Sequence, residues 1–164
     1  MADTLQFQAE VRQLLDLVVH SLYSDREIFL RELVSNASDA LDRARIAGLT
    51  DSDLRPAEGE PGIELEVSRE LGTLTIRDNG IGLTREQAIE HLGTIAHSGT
   101  KAFAEAVRKK GTNTDSLIGK FGVGFYASFM VAHKVEVHSL SAEAGSEPVI
   151  WTSEGTGEFT VEPG

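Results

Sequence analysis

Apolar residues recur along the first part of the chain with the period of a helix. Val11, Leu14, Leu15, Val18, Val19 and Leu22 fall at i, i+3, i+4, i+7, i+8 and i+11, one face of an amphipathic helix. A second helix is predicted almost at once. Ser24 and Glu27 carry the S-x-x-E spacing of a capping box, and Tyr23 is placed to staple onto Ile28. The buried stripe then runs Leu30, Leu33, Val34, Ala37, Leu41 and Ala44, with Gly48 where a C-cap is expected. After a polar loop over 49–62 the period falls to two. Ile63, Leu65 and Val67, then Leu74 and Ile76, alternate as two strands around Leu71-Gly72.

Thr84 and Gln87 form another capping box, for a short helix ending at Gly93, and Thr100 caps a further helix to Gly111. Residues 111–118 read as a loop, and 119–132 are glycine-rich and then helical. Val135-Val137, Val149-Trp151 and Phe159-Val161 alternate as three strands of a meander. Roughly five helical segments and five strands predict a two-layer α/β (α+β) sandwich, its sheet mixed but largely antiparallel and covered on one face by helices.

Composition narrows this picture without redirecting it. The 164 residues are one domain's worth, and 40% hydrophobic with 25% charged is ordinary for a folded protein. The absence of cysteine excludes a disulfide scaffold, a thiolate nucleophile and a Cys-based zinc site, and suits a reducing cytoplasm. The start of the chain lacks the layout of a secretory signal. The longest apolar stretch, Phe121 to Ala132, is broken by Gly122, Gly124 and Ser128, so no membrane span is expected. With 26 acids against 15 bases the net charge is −11, which repels phosphate backbones and argues against DNA or RNA as partners. A small polyphosphate remains compatible, because magnesium and backbone N–H groups can hold it without a basic patch.

Three stretches carry candidate chemistry. The second helix leaves a polar face of Glu32, Ser35, Asn36, Asp39 and Arg43, with Glu32 and Asn36 one turn apart on the same side. A solvated face with an Asp39–Arg43 ion pair explains it. So does a carboxylate that orients a water beside an amide oxygen that ligates a hard cation such as magnesium. In RDNGIGLT (77–84), Asp78-Asn79-Gly80 is a strong turn signal, yet a second glycine, Gly82, and a helix follow instead of a returning strand. The alternative to a turn is a ligand site. GKFGVGF (119–125) exposes backbone N–H groups ahead of a helix, an anion site, although its spacing fits neither a Walker A loop nor G-x-G-x-x-G after a strand.

The order of these three elements resembles the ATP-binding domain shared by DNA gyrase B, the mismatch-repair protein MutL, sensor histidine kinases and heat-shock protein 90 chaperones. REIFLRELVSNASDALDRAR (26–45), DNGIGLTREQAIEHLGTIAHSGTKAF (78–103) and IGKFGVGFYASFMVA (118–132) look like the N-terminal domain of a bacterial-type heat-shock protein 90, over almost the whole chain. That resemblance implies a Bergerat-type fold and a cytoplasmic chaperone domain that binds ATP or ADP with magnesium and hydrolyses ATP.

It also implies roles for residues. Glu32 would orient the attacking water, with Arg31 as its charge partner, and Asn36 would ligate magnesium. Asp78 would accept from the adenine amino group, Gly80 and Gly82 would remove side chains that block the flat ring, and Thr160 would complete a water network at the base. Ala40, Leu83 and Leu92 would line the adenine pocket, with Asp39, Gly82 and Ser98 among the nucleotide contacts. Gly119, Phe121, Gly122, Val123, Gly124 and Phe125 would cradle the phosphates, and 91–124 would be a mobile lid.

His97 stands where many relatives have a lysine, His91 where eukaryotic members have asparagine, and Leu83 replaces a frequent methionine. His20, His133 and His138 show no metal-ligand spacing. The family's domain continues past Pro163-Gly164 and is followed by middle and C-terminal domains, and the resemblance implies a homodimer that engages clients and co-chaperones when full length. A single N-terminal domain over 1–164, weakly hydrolytic alone and with its last strand an exposed edge, is therefore expected. The rivals are a histidine-kinase catalytic domain, which lacks the AHSGTKAF segment at 96–103, a DNA-handling ATPase of the MutL or gyrase B kind, and a nucleotide sensor without turnover.

Overall fold

The computed structural model describes residues 2–6, 27–93, 124–155 and 158–164. The helix expected over residues 11–22, the Ser24 cap and the helix starting at Thr100 fall outside them.

Strand β1 (Asp3–Gln6) is followed by helix α1 (Ile28–Gly48), strands β2 (Ile63–Ser68) and β3 (Thr73–Asp78), and helix α2 (Arg85–Gly93). A 3₁₀ helix (Gly124–Met130) leads into β4 (Val135–Ser139), β5 (Val149–Ser153) and β6 (Glu158–Pro163). The apolar stripe of α1 turns Ile28 and Ala37 inward. Gly48 ends α1 as its last helical residue, and Leu49, still right-handed at φ −72°, occupies the cap position expected for the glycine. The Thr84–Gln87 box forms as predicted. Gln87 N–H donates to Thr84 Oγ1 at 3.1 Å, and Thr84 N–H donates to Gln87 Oε1 at 2.9 Å.

Every described ladder is antiparallel, and the strands form two sheets, β1-β6-β5-β4 and β2-β3. The three-strand meander stands as expected. β1 adds to it, pairing Asp3 with Val161 and Leu5 with Phe159. The expectation that the last strand would be an exposed edge is therefore overturned: β6 is flanked by β5 and β1, and β1 and β4 are the edges. The single apolar residue of β1, Leu5, packs onto the core, which is how so short a strand is held.

The core lies between the inward face of the larger sheet and the helices. Trp151, Val149, Phe159 and Val161 meet Ile28, Ala88, Leu92, Tyr126 and Ala127. Trp151 stacks on Phe159 with centroids 5.7 Å apart, and Phe125 meets Trp151 edge-on at 5.4 Å. Aromatic pairs in such geometries add to the area they bury. The glycine-rich segment becomes helical after Gly124, as expected, but in the tighter 3₁₀ form.

Candidate functional site

The site is built where three backbone segments close on one another. The loop after β3 runs Asp78-Asn79-Gly80-Ile81-Gly82-Leu83, and each stage of it is gripped from outside. Ile81 N–H donates to the Ala40 carbonyl of α1 at 3.0 Å. Ala142 N–H, from the β4–β5 connection, donates to Ile81 O at 2.8 Å, and Leu83 N–H donates at 2.8 Å to Oγ of Ser139, the last residue of β4.

The two glycines make this closure possible. A Cβ on Gly80 would lie 2.5 Å from the Ala40 carbonyl carbon, and one on Gly82 would lie 2.2 Å from the Leu140 carbonyl oxygen. Gly82 also holds φ +67°, in the left-handed region. The expectation that these glycines clear room for a flat ring is corrected: the space is filled by α1 on one side and the β4–β5 connection on the other.

Asp78 ends β3 with its side chain exposed, and its Oδ1 accepts the Gly80 N–H at 2.9 Å. This short Asx-type bond fixes the carboxylate's direction, so the strand does end in an oriented acid. On α1, Glu32 is half-buried and Arg31, Ser35, Asn36 and Asp39 are exposed, while Ala40 is half-buried under the glycine loop. Glu32, Asn36 and Ala40 recur every four residues, so the point where the loop docks continues the line of the polar face.

Leu92 belongs to the buried core and Leu83 packs against it. Gly124 opens the 3₁₀ helix, and the Phe125 ring sits edge-on to Tyr126 and Trp151. Thr160 lies half-buried in β6 between Phe159 and Val161, which face the core, so it belongs to the opposite face of the larger sheet. Ser98, Gly119, Phe121, Gly122 and Val123, with His97 and nearly all of the 91–124 lid, fall outside the described residues.

A cavity of about 130 Å³ opens beside the loop, lined by Gly82 and Leu83 together with Arg43, Gln87, His91 and Glu143. Its size is below the few hundred Å³ typical of a nucleotide-sized ligand. His133 and His138 are exposed, and His138 lies 3.3 Å from Glu136. The buried Tyr126 hydroxyl donates to Leu92 O, tying the 3₁₀ helix to the end of α2, and burial pushes its phenol well above the usual range.

Arg55 carried no signal in the sequence beyond being a base in a polar loop. Its guanidinium reaches Ser141 O at 3.5 Å and Ser146 O at 3.4 Å, and the Arg55 backbone N–H donates to Ala142 O at 2.7 Å. It thus braces the same connection that grips Ile81. Backbone carbonyls carry no sequence pattern, so only the fold reveals this contact.

An acid-ended strand, a glycine backed onto the middle of a helix with a second packed on the β4–β5 connection, and a polar face continuing along that helix define an ATPase domain of a known kind. Residues 23–154 match the histidine kinase-, DNA gyrase B-, and HSP90-like ATPases, and the chain belongs to that family. Within it the chain is similar to bacterial proteins named chaperone protein HtpG. That of Rhodospirillum rubrum is 58% identical over 163 residues, and that of Actinobacillus succinogenes 55% over 160; each alignment covers 97% of this chain and 26% of the relative. That of Shewanella frigidimarina is 53% identical over 161 residues, 98% of this chain and 25% of its own length. The chain thus spans about a quarter of the length of the relatives it matches.

Proposed function

We propose that this domain binds ATP with magnesium and hydrolyses it as the N-terminal nucleotide-binding domain of a heat-shock protein 90-type chaperone. The observation that carries the reading is the docking of the Asp78–Leu83 loop onto α1 at Ala40. It aligns the acid-ended strand with the helix face bearing Glu32 and Asn36.

Asp78 reads the adenine amino group, an acceptor facing a donor. Guanine presents an oxo acceptor there, and two unpaired acceptors cost on the order of 1–3 kcal/mol, which disfavours it. Glu32 orients the attacking water and takes its proton, with Arg31 beside it as a charge partner. Among the described residues no group of three or more His, Cys, Asp or Glu side chains could hold a metal ion. The described residues therefore offer no all-protein metal cage. A single amide oxygen, that of the exposed Asn36, fits a magnesium ion that takes its other ligands from phosphates and water. When bound, that ion would neutralise charge on the phosphates. Residues 119–125 cradle the phosphates and 91–124 close over them, while Thr160, on the sheet face turned away from the helices, is not assigned to the base.

In the whole protein, nucleotide binding and lid closure would drive a dimeric clamp on client proteins in the cytoplasm, with co-chaperones joining there. The 164-residue chain alone would turn over ATP feebly. Titration calorimetry with ATP, ADP and GTP, with and without magnesium, tests the assignment. Asp78→Asn is expected to abolish adenine-nucleotide binding, and tight binding by that variant would sink the base-reading role. Glu32→Ala is expected to bind ATP as wild type does. In the longer chain it should lose turnover; undiminished hydrolysis there would remove Glu32 from the chemistry.

A further inference from the structure

Asn79 reads as a turn residue in the sequence, but its side chain is fully engaged. The last pair of the β2–β3 ladder is Ile63 with Asp78, so backbone pairing stops one residue short of Asn79. A two-stranded ribbon is marginal by itself and frays at such an end. The Asn79 amide continues the pairing from there. Its Oδ1 accepts the Gly62 N–H at 2.9 Å, and its Nδ2 donates to Glu58 O at 3.0 Å and Glu60 O at 2.8 Å. One acceptor facing an N–H and one donor facing two carbonyls fix which way the amide points. Gly59, at φ +77°, lets the 58–62 loop curl around it. On the other side of the same peptide, Gly80 N–H holds Asp78 Oδ1.

The geometry points to Asn79 as a positioning residue: by clamping loop 58–62 to the end of β3, it holds Asp78 at the angle from which its carboxylate reads a purine amino group. This rests on the adenine-reading role proposed for Asp78. Hydrogen bonds weaken steeply with misalignment, so a rotated strand end loses the amino-group contact before the nucleotide's other contacts suffer.

Two ligands separate this role from a general structural one: ADP, and purine riboside 5′-diphosphate, which lacks the 6-amino group. Both are titrated into wild type, Asn79→Asp and Asn79→Ser. Asn79→Asp is nearly isosteric and keeps the acceptor for Gly62, but sets an anionic oxygen against the Glu58 and Glu60 carbonyls. Titration in the cold, with circular dichroism on the same samples, keeps a destabilised variant folded.

Wild type is expected to prefer ADP. In both variants that preference should shrink by about tenfold while affinity for the purine analogue changes by less than about threefold. Equal weakening of both ligands means Asn79 only supports the fold and overturns the proposal. A wild-type preference that both variants retain overturns the Asn79 role alone. No preference in wild type overturns the Asp78 reading, and the Asn79 role with it.

Discussion

Gly82 and Gly80 are required for different reasons, and substitution separates them. Gly82 combines φ +67° with a neighbouring carbonyl oxygen 2.2 Å from where a Cβ would stand. Gly80 meets α1 backbone at 2.5 Å without the left-handed φ. Gly72 has the left-handed φ, +64°, and open space around it. Alanine at Gly72 should therefore cost only the conformational term, about 1–2 kcal/mol. Alanine at Gly82 adds an overpacking term of about 1–3 kcal/mol, and at Gly80 the overpacking term acts alone. Urea unfolding of the three variants measures this. Equal midpoints for Gly72→Ala and Gly82→Ala would remove the close-packing argument. The D-x-G-x-G spacing was legible in the sequence, but its purpose was not. The atoms that fill the missing side chains, from Ala40 and Leu140, lie far along the chain and become neighbours only through the fold.

At the scale of elements, α2 depends on a start and a stop of different kinds. Its start is local: the Thr84–Gln87 capping box satisfies N–H groups that a helix terminus leaves open. Thr84→Ala should destabilise by about 1 kcal/mol in thermal unfolding, and a null effect would show the cap to be redundant. This box was readable three residues apart, which is why the sequence predicted it correctly. The stop is tertiary, the Tyr126 hydroxyl on Leu92 O, and no spacing rule announces it.

That contact also makes stability depend on pH. Burial raises the Tyr126 pKa above its ordinary value of 10.0, so the folded state keeps its proton after the unfolded chain begins to lose it. The contribution is whole below about pH 10 and falls as pH rises beyond it, with a limiting slope of about 1.4 kcal/mol per pH unit. Tyr126→Phe should be less stable at neutral pH and lose less stability between pH 9 and about 11. Parallel slopes for the two proteins would show that Tyr126 is not the titrating group.

For the whole molecule, the meander and the helix-on-sheet layering were legible because strands of five or six residues carry a period-two signal. β1 was not: Asp-Thr-Leu-Gln has one apolar residue, and it is a strand only because β6 offers a ladder and the core takes Leu5. β1 therefore acts as the cover of β6. Its other tie, the exposed Arg85–Asp3 ion pair at 2.5 Å, is of a kind worth about 0–1 kcal/mol. Removing residues 1–6 would strip the ladder partner from a six-residue strand whose alternate side chains, Phe159 and Val161, are buried. An unpaired edge of that length invites pairing with another chain, with Pro163 at its far end and the charges of Glu158 and Glu162 opposing it. The charge of −11 works against association, so raising salt should strengthen it. The truncated protein is expected to show concentration-dependent dimers in sedimentation, more so in salt, while Asp3→Ala, which loses the ion pair and keeps the ladder, sediments as the intact chain does. If Asp3→Ala associates as readily as the truncation, the ion pair and not the ladder is what protects β6.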